Sequence, residues 1–106
     1  MPEPVKDTGK ITVTVEAQYK DRVAKFLNSR KRDIAEMRDE VGKGQYPSVK
    51  MTGGMIKKAA EGIGLTKFQE MGEAIETAAN LKDSGKVKIL IEELADYLSR
   101  VEIVYS

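Results

Sequence analysis

Apolar positions in this chain follow two different periods. Residues Ile11–Val15 alternate as Ile-Thr-Val-Thr-Val, and this β-branched run fits an extended segment. From about Glu16 onward the step lengthens to three and four. Val23, Phe26, Leu27, Arg30, Ile34, Met37 and Val41 form one stripe on a long first helix, which Gly42 and Gly44 end. A second helix starts at Tyr46-Pro47-Ser48, where proline suits the first turn. Its buried stripe is Val49, Ile56, Ala60 and Ile63, and Gly62 or Gly64 closes it. Thr66-Lys-Phe-Gln69 fits a capping box that opens a third helix, with Phe68, Met71, Ile75, Ala78 and Ala79 on one side. Gly72 and Ala74 on this helix are small enough for a close helix approach. Asp83-Ser84-Gly85 makes a turn and an N-cap. The fourth helix buries Val87, Leu90, Ile91, Leu94, Leu98 and Val101, and its β-branched end, 101–105, frays.

Four helices joined by short turns predict an all-α, up-down antiparallel four-helix bundle. Residues 1–15 read as a flexible leader and extended arm, and residues 16–106 as the bundle. No second strand pattern lies near Ile11–Val15, so the arm is expected to pack on the bundle end rather than to pair.

Composition narrows the chemistry. The chain has 106 residues, which suits one core. It holds 18 lysines and arginines against 17 aspartates and glutamates, so no global field favours nucleic acid or an anionic membrane. With neither cysteine nor histidine, disulfides, thiolate metal sites, imidazole catalysis and most zinc sites are excluded. No calcium-loop spacing and no glycine-rich loop after a strand is present, so neither metal nor cofactor is implied. No apolar run can span a bilayer and no signal-peptide core is visible, which predicts a soluble cytoplasmic domain. The basic triplet Arg30-Lys31-Arg32 is followed by acids at helical spacing, and reads as a solvated face laced with weak ion pairs.

The informative stretch is Gly53–Leu65, Gly-Gly-Met-Ile-Lys-Lys-Ala-Ala-Glu-Gly-Ile-Gly-Leu. At about 100° per residue, Gly54 falls nearly opposite the buried stripe. It shares the outer face with Pro47, Lys50, Met51, Lys57, Lys58 and Glu61. Two adjacent glycines at mid-helix are expected to soften the turn or admit a kink. Alternatively they let a partner backbone approach closely.

From about Val13 to Tyr105 the chain resembles the histidine-containing phosphotransfer (HPt) domains of two-component phosphorelays. The resemblance is carried by Phe26-Leu27, Arg30 and Asp33-Ile34 on the first helix and by the turn Gly44-Gln45-Tyr46. It continues through Met71-Gly72, Ile75-Glu76 and Leu94-Ala95-Asp96-Tyr97-Leu98. The family motif His-x-x-Lys-Gly aligns its lysine with Lys57, its small positions with Ala59 and Ala60, and its ending with Gly62-Ile63-Gly64-Leu65. The phosphoacceptor histidine then falls on Gly54 and the motif glycine on Lys58. The resemblance implies a bundle whose second helix docks a receiver domain of a response regulator.

Gly54 offers no nucleophile, so the resemblance implies a binding module and not a phosphotransfer enzyme. Its partner-binding residues would be Lys50, Met51, Gly54, Lys57, Lys58 and Glu61. The partner would be a receiver domain or a histidine kinase. Lys58 could obstruct a docked receiver or contact its acidic pocket. Three alternatives remain open. The chain could be an altered form of an active phosphotransfer protein. It could be a receiver phosphatase using Gln69 and Glu70, or Glu73 and Glu76. It could also be an oligomerisation module exposing Met51, Met55 and Ile103.

Overall fold

A computed structural model describes residues 9–106, so most of the proposed leader lies outside the described residues. Four helices account for most of them: α1 (Lys20–Gly42), α2 (Tyr46–Gly62), α3 (Thr66–Asn80) and α4 (Ser84–Arg100). Strand β1 (Ile11–Val15) and a single 3-10 turn (Ala17–Tyr19) precede α1, and strand β2 (Val101–Tyr105) follows α4. The main packing contacts join α1 to α2 and α4, and α3 to α2 and α4. The core therefore sits among all four helices.

The helix stripes bury as their spacing requires. Val23, Val49, Ile56, Ile75, Val87, Ile91 and Leu94 are fully enclosed. A line of aromatic rings crosses the core. Phe68 meets Phe26 edge-on at 5.1 Å between centroids and Tyr97 at 4.9 Å. Burial pushes the Tyr97 phenol up from its ordinary pKa. Tyr97 and Leu65 join the core although neither belongs to the stripes predicted above.

Helix ends follow glycine where the backbone demands it. Gly44 and Gly64 adopt φ values of +72° and +75°, in the left-handed region that an L side chain rarely enters. The expected capping box at Thr66 does not form. Leu65 occupies the N-cap position and Thr66 already lies inside α3, so its hydroxyl caps nothing. At α4 the cap is as expected, with Asp83 accepting from the backbone N–H of Lys86 at 3.1 Å.

The arm expectation needs correction. β1 does not pack alone on the bundle end, and residues 101–105 do not continue α4. The two segments pair in parallel, with Ile11 opposite Val101 and Val15 opposite Tyr105. The pairing extends past both strands, since Ser106 donates to the Val15 carbonyl and Ala17 donates to that of Ser106. The β-branched run 101–105 prefers the pleated state, and the second strand pattern that seemed missing is at the far end of the sequence. One face, with Ile11, Val13, Val101, Ile103 and Tyr105 half-buried and Val15 buried, packs on the core. Thr12, Thr14, Glu102 and Val104 face outward.

Candidate functional site

The site is built on α2, and its shape begins with Gly53. This residue is buried where α2 crosses α3. A Cβ placed on Gly53 would lie 2.9 Å from both the Glu76 nitrogen and the Gly72 oxygen. One on Gly72 would come within 2.7 Å of the Gly53 oxygen and the Lys57 nitrogen. The two glycines let the helix backbones touch. The close approach expected from Gly72 is therefore present. Across Gly53-Gly54 the helix is continuous, as α2 runs unbroken from Tyr46 to Gly62. The backbone that approaches Gly53 belongs to the protein's own third helix.

This crossing brings α3 side chains to the outer face of α2. Glu76 lies one turn beyond Gly72, and Asn80 one turn further. A Cβ at Gly54 would meet the Glu76 Oε2 at 3.0 Å, so the Glu76 carboxylate covers the spot from which a side chain at 54 would rise. Lys57 Nζ stands 3.8 Å from the other Glu76 oxygen, a loose, partly exposed pair that contributes little to stability. Lys50 donates to the Asn80 side chain at 2.9 Å.

Around Gly54 the surface forms an open groove of about 410 Å³, bordered by Pro47, Lys50, Met51, Met55, Lys58 and Glu76. Met51 and Met55 are 67% and 62% exposed, which is high for apolar side chains on one helix face. Lys58 is exposed and forms no ion pair among the described residues.

The predicted residues therefore divide. Lys50, Met51, Gly54 and Lys58 line one groove. Lys57 reaches it only through Glu76. Glu61 is exposed but lies outside the groove lining. Met55, Glu76 and Asn80 complete the face and were not among the predicted partner-binding residues. The spacing Gly72, Glu76, Asn80 was the available signal, because i, i+4 and i+8 share one helix stripe. Of the carboxylates considered for phosphatase chemistry, Glu76 is at this face, whereas Glu70 and Glu73 line a separate depression with Leu81. The oligomerisation alternative named Met51, Met55 and Ile103 as exposed. The two methionines are, but Ile103 is half-buried against the core.

Arg30 also departs from expectation. It is buried and not part of a solvated face, stacks on Phe26 at 4.2 Å and pairs with Asp33 at 2.7 Å. Lys31 and Arg32 remain exposed.

No protein-family model matches this chain, and no curated protein or solved structure matches it either.

Proposed function

We propose that this protein is an HPt-like signalling module without phosphotransfer, and that it docks a receiver domain of a response regulator on the α2 face centred on Gly54. The four helices and the connections at 43–45, 63–65 and 81–83 support an up-down antiparallel bundle of the HPt kind. A two-component partner implies a cytoplasmic location. No helix among the described residues is long and apolar enough to cross a membrane.

One observation carries the reading. The groove has no α2 side chain at its centre, where the Glu76 carboxylate reaches over Gly54, and is rimmed by exposed methionines and by the cations of Lys50 and Lys58. Flexible methionines adapt to a partner's surface, and unpaired cations complement the acidic pocket that a receiver presents. Lys58 is exposed and forms no ion pair among the described residues, which supports contact over obstruction. Glu76 faces the same pocket with the wrong charge, and its pairing with Lys57 limits the repulsion. With no imidazole anywhere in the sequence, the module acts by occupying the receiver, either competing with a phosphodonor or sequestering the regulator. A histidine kinase that carries such a receiver is an equivalent partner.

Titration against a panel of receivers tests this. Binding should weaken with salt, and Gly54→Arg, which fills the groove, should weaken it by about tenfold or more. Absence of binding by every receiver, or binding indifferent to Gly54→Arg and to charge reversal at Lys57 and Lys58, refutes it.

A further inference from the structure

A second cleft, of about 300 Å³, lies between α1 and α2 and shares no residue with the groove at Gly54. Its polar lining is Arg22, Lys25, Ser29 and Arg30, and its apolar walls include Ala59 and Ile63. No carboxylate lines it. In a chain whose charges nearly cancel, Arg22 and Lys25 stand here beside Arg30, whose charge Asp33 meets, and these two cations form a local positive excess.

Arg30 shows what the imbalance is for. Its side chain is only 9% exposed. Nε and Nη2 both donate to one Asp33 oxygen, at 2.9 and 2.7 Å. Nη1 is buried and has no hydrogen-bond partner. Buried guanidinium donors are rarely left unused, because the lost hydration is not replaced. The guanidinium stacks on Phe26, and both residues line the cleft. Arg22 and Lys25 form no ion pair among the described residues. Arg22 leans from α1 toward α2, where Gly62 has no side chain to obstruct it. A Cβ there would stand 3.3 Å from Arg22 Nη2.

We propose that this cleft binds a small phosphate dianion, free or carried as a monoester. Arg22 and Lys25 neutralise the charge, the Ser29 hydroxyl donates to one oxygen, and Arg30 Nη1, buried in the free protein, gains an acceptor as the guanidinium slides along the Phe26 ring. The volume leaves room beside the phosphate for a small substituent against Ala59 and Ile63. The site is independent of receiver docking, which uses the α3 side of α2.

An NMR titration of the whole protein at constant ionic strength tests the proposal, with inorganic phosphate in one arm and phenyl phosphate in the other. Saturable shifts are expected at the Ser29 and Ile63 amides and at the Arg30 side-chain N–H. Lys25→Glu and Arg22→Glu alter exposed side chains, so both variants should fold, and each should weaken binding by about tenfold or more. Gly54→Arg should leave the affinity unchanged. Tighter binding of phenyl phosphate identifies a monoester site, and equal binding a site for the free anion. Failure of both ligands to saturate, or shifts untouched by both charge reversals, overturns the proposal.

Discussion

Replacing Gly72 with alanine adds one methyl group and should destabilise the protein, although the same change in an ordinary helix interior stabilises it. The helix-propensity gain is about 1 kcal/mol. Against it stands the crossing with α2, where the new methyl carbon would lie 2.7 Å from two backbone atoms, the Gly53 oxygen and the Lys57 nitrogen. Backbone atoms cannot rotate away. The helices must separate by most of an ångström, and Ile56 and Ile75, both fully buried here, lose packing with them. Overpacking of this kind costs about 1–3 kcal/mol, and forced displacement of two helices belongs at the upper end. The expected net loss is roughly 1–2 kcal/mol, or about 4–8 °C in Tm per kcal/mol for a domain of this size. Gly54→Ala is the internal control. Its methyl meets only the end of the Glu76 side chain, at 3.0 Å, which can swing toward solvent. Most of the propensity gain should survive, giving a variant about 0.5–1 kcal/mol more stable. Urea unfolding monitored by circular dichroism reads both changes as shifts in midpoint at constant slope. A Gly72→Ala variant as stable as the parent would refute the close crossing. Equal destabilisation by Gly54→Ala would show that Glu76 is held rigidly and that the groove is not open.

Two further outcomes are expected. Burial, reinforced by Glu36, Asp39 and Asp33, raises the Glu40 carboxyl above its ordinary range. A raised acid pKa disfavours the folded state above that value, and the penalty is relieved as pH falls through it toward the ordinary carboxylate pKa. Glu40→Gln should therefore stabilise the protein at neutral pH by about 1 kcal/mol or less, with the advantage shrinking in acid. Thermal unfolding across that range checks it, and a constant difference at every pH would contradict it. Removal of residues 101–106 should cost on the order of 2–4 kcal/mol as β1 loses its partner and the apolar face of the ladder opens. Hydrogen exchange should show the Val13 and Val15 amides losing protection while α2 and α3 keep theirs, and unchanged protection at β1 would contradict the pairing.

The helices were legible because each carries a stripe of three- and four-residue spacing, and such stripes report directly on the buried face. Glycine at 44 and 64 marked two helix ends for a physical reason local to those residues. The features that escaped depend on contacts between distant segments. Residues 101–105 follow α4 without a break, so local periodicity alone could not separate strand from helix, and only Ile11–Val15 across the fold decides it. Arg30 sits on the apolar stripe, yet its charge argued for solvent until Phe26 and Asp33 were seen around it. At the candidate site the α2 contribution was readable from one helix wheel. Glu76 and Asn80 were not, because their place beside Gly54 and Lys50 is set by how closely Gly53 and Gly72 let two helices cross.

Parallel strands cannot be joined by a tight turn, and one intervening helix usually makes the crossover. Here the crossover between β1 and β2 is the entire set of four helices. Closing a loop of that length in an unfolded chain costs roughly 4 kcal/mol in entropy, whereas neighbouring helices meet across short connections at far less cost. The ladder is thus expected to zip last during folding and to open first, so substitutions there should alter the unfolding rate more than the folding rate. The parallel pairing also sets the two ends of the described chain at opposite ends of the ladder, with Ile11 beside Val101 and Ser106 beside Val15. A circular permutant with new ends cut in the connection at 43–45 or 81–83 therefore needs a bridge that runs back along the whole ladder, roughly 16 Å at about 3.3 Å per residue, and a two-residue bridge should leave the strands unpaired.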